Sequence, residues 1–226
     1  MRPQVRNLRR MVGIRTATKE AEVASRLAAA RVLPVTTVDD ADQTEAVCRA
    51  LVAGGIPCIE IAFRTTAAVE AIRRASQVDG ILVGAGTVLS AQQAEAAHAA
   101  GASFAVAPGT NEIVVAACRK LGLAFFPGVA TPTEIERARQ LGLRTLKIFP
   151  AEQVGGPSFL RAVTATYPDV RFLPTGGIGP HNLRDYLAVP SVLAVGGSWL
   201  VKPELLRDRR FDEVERLARE AVGLTA

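Results

Sequence analysis

The sequence predicts an α/β fold, a (β/α)8 TIM barrel with an extra helix before the first strand. Three features predict this fold: short apolar runs recur eight times, Ala-rich amphipathic segments alternate with them, and Gly, Pro or Thr lies at or within two residues of the end of each run. The alternation indicates parallel strands joined by helical crossovers. Eight is the number of strands that closes such a sheet into a barrel with a packed interior. An open doubly wound sheet is the competing architecture.

The predicted strands are short runs rich in Val, Ile, Leu and Phe. They span residues 32–37, 58–63, 81–84, 103–107, 123–127, 145–149, 170–174 and 192–196. The predicted helices begin at residues that suit an N-cap, such as Asp39 or Asp40, Ser90, and Thr131 before Pro132, and they end at glycines. They include 19–30, 40–53, 66–76, 90–99, 111–121, 131–140 and 210–222.

Composition excludes several classes of protein. No apolar run approaches the roughly 20 residues that cross a bilayer, so we expect no membrane span. Three widely spaced Cys without a CxxC pair indicate a reducing compartment rather than a disulfide framework. Two His without ligand spacing predict no metal site. We therefore expect no metal and no cofactor.

The 226 residues carry a net charge of +5, supplied mostly by Arg. No run of basic residues with interleaved aromatics follows residue 20, so we expect surface charge and no nucleic-acid partner. Residues 1–18 are Arg-rich and lack the apolar stretch of a secretory signal. We expect them to form a disordered extension, or to reflect a start codon placed too early, and we expect residues 19–226 to form one barrel domain.

Two charged residues lie inside predicted strands. Glu60 is flanked by Ile59 and Ile61, and Lys147 by Leu146 and Ile148. Strand side chains alternate between faces, so both charges are predicted to point into the barrel and the aliphatic residues towards the helices.

Such burial is costly unless the charges are paired. One interpretation is an ion pair that only fixes packing. The other is catalytic. A lysine amine that has lost its proton can attack a ketone to form an imine, and a nearby carboxylate can carry protons.

Glycine-containing segments follow the last strands. Loops after barrel strands 7 and 8 commonly bind phosphate, and backbone N–H groups of Gly176, Gly177 and Gly197 with the Ser198 hydroxyl suit that role. Arg64, at the end of the second strand, suits a carboxylate. The GAGT segment at 84–87 lacks the spacing of a dinucleotide fingerprint.

With these residues identified, the chain resembles the 2-dehydro-3-deoxy-6-phosphogluconate (KDPG) aldolase family, which includes 4-hydroxy-2-oxoglutarate aldolases. The similarity runs from about residue 20 to 222, and only its motifs taken together are specific. They are LVAGGIPCIEIAFRT (51–65), VGAGTVL (83–89), PGT (108–110), LKIFPAE (146–152), FLPTGGI (172–178) and VGGSWLV (195–201).

The resemblance implies roles for the site residues. Lys147 matches the Schiff-base lysine and Glu60 the carboxylate that moves protons through water. The other matches are Arg64 and Thr87 for the substrate carboxylate, Phe149 and Pro108 for pocket walls, and Gly176, Gly177 and Ser198 for the phosphate. Thr175 matches a threonine that relatives acting on the phosphogalactonate epimer tend to lack, which favours the gluconate-derived substrate.

The resemblance also implies the setting of the reaction. A class I aldolase would cleave KDPG reversibly to pyruvate and glyceraldehyde 3-phosphate, as in the Entner–Doudoroff pathway, or 4-hydroxy-2-oxoglutarate to pyruvate and glyoxylate. The family is cytoplasmic, cofactor-free and usually homotrimeric, and its partner is a small phosphorylated 2-keto acid. Residues 1–18 have no counterpart in the family pattern.

Other functions remain open on the residues alone. One is a 6-phosphogalactonate-type aldolase of the same family. A second is a sugar-phosphate-binding barrel isomerase, or a phosphate-ester lyase, that uses Glu60 as a base without an imine. A third is a non-catalytic sugar-phosphate-binding module, and a fourth is association with nucleic acid through residues 1–18.

Overall fold

Parallel strands close into a ring in the computed structural model, which describes residues 19–225. Residues 1–18, which we expect to form a disordered extension, lie outside the described residues. The strands are β1 (Val32–Thr36), β2 (Cys58–Ala62), β3 (Leu82–Gly86), β4 (Phe104–Val106), β5 (Ala124–Phe126), β6 (Gly128–Val129), β7 (Thr145–Ile148), β8 (Arg171–Pro174) and β9 (Val195–Gly197).

Two sheets in strand order β5-β4-β3-β2-β1-β9 and β6-β7-β8 make up the ring. β5 and β6 are successive parts of one barrel strand, interrupted at Pro127, whose carbonyl accepts the Lys147 N–H at 2.8 Å. Bridges from Phe172 to Val192 and from Thr175 to Gly196 join β8 to β9. The eight strand positions of a (β/α)8 barrel are therefore present, and the predicted fold class is confirmed.

Helices alternate with the strands, and the first precedes β1 as predicted. They are α1 (19–30), a 3-10 turn (Ala41–Gln43), α2 (Thr44–Ala53), α3 (Ala68–Ala75), α4 (Ala91–Ala99), α5 (Glu112–Leu121), α6 (Pro132–Gln140), α7 (Gly156–Thr166), α8 (Leu183–Leu187), α9 (Pro203–Arg207) and α10 (Phe211–Thr225). Within residues 19–225, none of these helices is long and apolar enough to cross a membrane.

Local sequence explains where several helices begin and end. The Ser90 hydroxyl accepts the Gln93 N–H, and Thr131 forms a capping box with Glu134 at the start of α6. Gly122 closes α5 in the left-handed conformation, with φ of 68°. These boundaries agree with the sequence prediction to within a residue or two.

Helix α1 lies at the N-terminal ends of the strands. Its Val23 and Leu27 are fully buried, and its Arg26 donates to the carbonyl of Gly80, two residues before β3 begins. Helix α1 therefore leaves the C-terminal ends of the strands uncovered, which is where barrels of this type have their active sites.

The structure also contains elements that the sequence analysis did not predict. These are α7, α8 and α9, of which α8 and α9 have only five residues each. Strand β3 runs on to Gly86 instead of ending at residue 84, so the glycines of the GAGT segment lie inside a strand and not in a loop after it.

Candidate active site

Lys147 and Glu60 meet inside the barrel. The Lys147 Nζ lies 3.0 Å from Oε1 and 3.5 Å from Oε2 of Glu60. They come from β7 and β2, which are four positions apart in the eight-membered ring and therefore face each other across it. The predicted inward orientation of both side chains is confirmed by this contact.

The pair is removed from water. Glu60 is 1% exposed and Lys147 is 6% exposed. Two such charges stabilise each other at this distance, but each would be strongly disfavoured alone. The Lys147 Nζ also lies 5.8 Å from the centre of the Phe149 ring, two residues along the chain. The amine therefore has a carboxylate on one side and an aromatic face near it.

Glycines in β3 make room for the pair and for an aromatic neighbour. A Cβ at Gly86 would overlap the Glu60 carboxylate, and a Cβ at Gly84 would overlap the Phe104 ring. Gly84 is the register partner of both Glu60 and Phe104, so these residues share one face of the sheet. The small residues of β3 thus allow Glu60 to reach across the lumen.

Pro108 lies beside β6, the strand that pairs with β7 at the position of Lys147. Gly128 is the register partner of Lys147, and a Cβ at Gly128 would overlap the Pro108 carbonyl. The Thr110 hydroxyl donates to the Gly128 carbonyl at 3.0 Å. The 108–110 segment is therefore held against the backbone next to Lys147.

Thr87 follows β3 directly and has φ of +57°. This region is unfavourable for a β-branched residue and is found mostly where function or tight packing requires it. Thr87 is adjacent to Gly86, the glycine next to the Glu60 carboxylate. Its backbone conformation is thus an independent indication that the C-terminal end of β3 belongs to the site.

A cavity of about 320 Å³ opens at the C-terminal ends of β1, β2, β7, β8 and β9. The sequence-predicted residues in its wall are Arg64, Phe149, Thr175, Gly176, Gly177, Gly197 and Ser198. Thr87 and Pro108 do not line this cavity and lie instead near Glu60 and Lys147. Phe149 connects the two parts, because it lines the cavity and stands close to the lysine amine.

Residues that the sequence analysis did not single out complete the cavity wall. They are Val35, Thr36, Thr37, Ile178, Gly196, Val201 and Pro203. Gly196 could have been suspected from its place in the Gly-Gly pair at the end of the last strand. The first strand carried no charge or glycine motif to mark Thr36 and Thr37.

A network of hydrogen bonds fixes the 175–179 loop behind the cavity. Backbone N–H groups of Ala151 and Glu152 donate to the carbonyls of Thr175 (2.9 Å) and Gly176 (3.1 Å). The hydroxyl of Tyr186, a fully buried residue, donates to the Glu152 carboxylate. Burial first, and this hydrogen bond second, raise the pKa of Tyr186.

Backbone conformation also shapes this loop. Gly176 and Gly177 have φ of 105° and 78°, which only glycine adopts readily. The Asn182 amide donates to the Gly177 carbonyl at 3.1 Å. The loop is therefore preorganised before any ligand binds, as an anion-binding backbone loop requires.

In the part of the chain that the structure describes, no three His, Cys, Asp or Glu side chains are grouped as metal ligands. The titratable residues assembled in the barrel are Glu60 and Lys147, with Arg64 at the mouth. Lys147 and Glu60 supply a buried amine and a carboxylate in contact, and Arg64 supplies a guanidinium in the cavity wall. Such a set suits covalent chemistry on a keto acid.

Comparison with known proteins finds relatives of this chain. The model of the family described as "Aldolase: KDPG and KHG aldolase" matches residues 23–217. A 2-dehydro-3-deoxy-phosphogluconate aldolase of Treponema pallidum is 45% identical over 195 residues, covering 86% of this chain and 93% of that protein. A KHG/KDPG aldolase of Escherichia coli K12 is 44% identical over 192 residues, covering 84% and 90%.

A solved structure extends the comparison. It is KDPG aldolase from Legionella pneumophila with pyruvate captured at low pH as a covalent carbinolamine intermediate. It is 34% identical, has a TM-score of 0.84, and the match covers 87% of this chain and 96% of that one. From the family model and these relatives together, this chain belongs to the KDPG and KHG aldolase family.

Proposed function

We propose that this protein is a class I aldolase that cleaves a phosphorylated 2-keto acid through a Schiff base on Lys147. One observation carries the proposal: a buried lysine amine lies 3.0 Å from a buried carboxylate inside the barrel. The amine can give its proton to a neighbour and attack a keto carbon. An ion pair that only stabilised the packing would not require a cavity beside it.

The chemistry follows from the imine. The Lys147 nitrogen adds to the C2 keto carbon, and the resulting carbinolamine loses water to form a protonated imine. This imine withdraws the electron pair of the C3–C4 bond as that bond breaks. The C4 hydroxyl loses its proton and becomes an aldehyde, while C1–C3 remain as an enamine. Protonation at C3 and hydrolysis then release pyruvate and free the lysine.

Glu60 is the residue placed to move these protons. Its Oε1 is within hydrogen-bond distance of Nζ, so it can take the amine proton and return it, directly or through water. Gly86 leaves the space that its carboxylate occupies. No other carboxylate within residues 19–225 is found in contact with Lys147.

We assign the remaining site residues to the two charged groups of the substrate, its carboxylate and its phosphate, and to the carbons between them. Arg64 and Thr87 bind the carboxylate, and Phe149 and Pro108 form walls beside the reacting carbon. The backbone of Gly176, Gly177 and Gly197 with the Ser198 hydroxyl binds the phosphate. Thr175 meets the C4 hydroxyl. These assignments are supported by the cavity, whose wall includes Arg64, the three glycines and Ser198.

The substrate we propose is KDPG, which yields pyruvate and glyceraldehyde 3-phosphate. The names of the relatives support this choice, and the KHG/KDPG aldolase relative supports 4-hydroxy-2-oxoglutarate as a second substrate that yields pyruvate and glyoxylate. Thr175, with its hydroxyl over Gly196, favours the gluconate-derived epimer over the galactonate-derived one. The reaction belongs to carbohydrate breakdown in the cytoplasm and needs no cofactor.

We also propose a homotrimer. Val69, Leu89 and Ile113 are 41%, 53% and 68% exposed. They lie at or just before the starts of three consecutive helices, α3, α4 and α5, and so on one rim of the barrel. Large apolar side chains grouped at a rim are typical of a surface that a second copy covers. Residues 19–226 would form the domain that assembles, and residues 1–18 an extension of it.

A pyruvate-release assay tests the function. Wild-type protein should release pyruvate from KDPG faster than from the galactonate-derived epimer, with and without a chelator, and more slowly from 4-hydroxy-2-oxoglutarate. Lys147→Arg keeps the positive charge beside Glu60 but cannot form an imine, so its release of pyruvate should fall to background. Substantial release by Lys147→Arg would favour a reaction that uses Glu60 as a base without an imine.

A further inference from the structure

Thr37 stands at the wall of the cavity on the side opposite Thr175. It follows β1 directly and lines the cavity, as does Thr175, which follows β8. Strand β9 lies between β1 and β8 and ends in Gly196 and Gly197, which carry no side chains. Thr37 and Thr175 therefore lie on either side of the end of β9, where two glycines expose the backbone to the cavity.

Strand register separates Thr37 from its neighbour Thr36. Val35 pairs with Glu60, which points into the barrel, so Val35 and, by alternation, Thr37 share the inward face. Thr36 lies on the opposite face, where its buried hydroxyl donates to the Val201 carbonyl at 3.2 Å. Both threonines line the cavity, but within residues 19–225 only the Thr36 hydroxyl is bonded to the protein.

The Thr37 hydroxyl is free for a ligand. Within residues 19–225 no hydrogen bond to or from this hydroxyl is found, whereas the Thr37 carbonyl accepts from Thr36 at 3.4 Å. Thr37 is half-buried, so its hydroxyl is partly shielded from water. A polar group in such a position favours a ligand group that can pair with it over one that cannot.

We propose that Thr37 is a specificity-determining residue that binds the C5 hydroxyl of the substrate. The proposal rests on the proposed function. The substrate chain would run from Lys147, past Phe149, to Ser198 and the glycine loops, and it carries hydroxyls at C4 and C5. Thr175 is assigned to the C4 hydroxyl. Thr37 then faces the remaining one, on the part of the chain that becomes glyceraldehyde 3-phosphate.

The test uses the reverse reaction with two aldehydes. Pyruvate is joined either to glyceraldehyde 3-phosphate or to 3-oxopropyl phosphate, which lacks the hydroxyl that becomes C5. The ratio of the two kcat/KM values measures how strongly the enzyme recognises that hydroxyl. In wild-type protein the hydroxylated aldehyde should be favoured. Thr37→Val, which has the same shape, should lower the ratio by roughly 3- to 10-fold, the usual size for one neutral hydrogen bond.

Two further variants are matched to this change. Thr37→Ser keeps the hydroxyl and should keep the wild-type ratio. Thr166→Val removes an exposed hydroxyl at the end of helix α7, outside the cavity wall, and should also keep the ratio. Exchange of pyruvate methyl protons with solvent, which does not involve an aldehyde, should be unchanged in Thr37→Val and shows that the Lys147 site is intact.

Two results would overturn the proposal: a wild-type ratio in Thr37→Val, or a ratio in Thr37→Ser as low as in Thr37→Val. Failure of the aldolase function itself would look different. In that case wild-type protein would form no product from pyruvate with either aldehyde and would exchange no pyruvate protons.

Discussion

The Lys147 Nζ lies 3.0 Å from the Glu60 Oε1 although 87 residues separate them in the chain. The contact exists because β7 and β2 face each other across a closed ring, and because β3 has glycine where a larger residue would displace the carboxylate. The fold thus brings a buried amine and a buried carboxylate into contact. The following predictions test what this pair and its surroundings do.

Replacing the carboxylate tests its part in proton transfer. Glu60→Gln keeps the shape but cannot accept a proton, so kcat for KDPG cleavage should fall by about 100-fold or more. Initial rates of pyruvate release check this, and circular dichroism checks that the variant is folded. A variant that turns over at the wild-type rate would remove Glu60 from the mechanism.

Gly86→Ala tests whether the space beside the carboxylate matters. The added methyl group would overlap the Glu60 carboxylate, so we expect a loss of about 1–3 kcal/mol in the free energy of unfolding and a lower kcat. Urea unfolding and initial rates measure the two effects.

Gly223→Ala is the matched control for this change. A methyl group there meets nothing within 4 Å and lies in helix α10, so it should stabilise the protein by about 0.5–1 kcal/mol without affecting kcat. Equal behaviour of the two alanine variants would contradict the close packing of Glu60 against β3.

Ser198→Ala tests the phosphate end of the site. The variant should raise KM for KDPG by about fivefold, the usual size for a single hydrogen bond, because it removes the hydroxyl that we propose binds the phosphate. Exchange of pyruvate protons should change little, since pyruvate carries no phosphate. Similar losses in both assays would mean that Ser198 does not act through the phosphate.

The three cysteines should be unreactive in the folded protein. Burial raises the pKa of the Cys48, Cys58 and Cys118 thiols from 9.0 to about 12, and the thiolate is the reactive form. At pH 8 a disulfide reagent should react with these thiols only slowly until urea is added. Rapid reaction of the native protein would show that a thiol is more accessible than the structure has it.

The same pKa shifts predict how stability depends on pH. Between about pH 9 and pH 12 the thiols of the unfolded chain are ionised whereas the buried ones stay protonated. The folded state then binds more protons, so the free energy of unfolding should decrease as pH rises through this range. Urea unfolding at pH 8 and pH 10 measures the difference, and stability that rises with pH would contradict it.

The sequence predicted the barrel and the inward-facing pair of Glu60 and Lys147 because both follow from local rules. Alternation within each strand gave the inward orientation of Glu60 and Lys147, and the number of strands implied closure. Helix limits followed from side chains such as Ser90 and Thr131 that bond their own first turn.

What the sequence did not predict depends on contacts between distant segments. The need for glycine at position 86 arises from Glu60, which belongs to the preceding strand. The support of the 175–179 loop by Glu152 and Tyr186 requires the folded barrel. In the sequence, Thr37 resembles any other residue that follows a strand. The structure shows that it lines the cavity and that its hydroxyl has no hydrogen-bond partner within the described residues.

The most direct test is to trap the covalent intermediate. Protein incubated with pyruvate and reduced with borohydride should gain one pyruvate-derived group, fixed as a secondary amine, and digestion followed by mass spectrometry should locate it on the peptide that contains Lys147. Lys147→Arg treated in the same way should gain nothing. An adduct on another lysine, or none on the wild-type protein, would contradict the Schiff-base account.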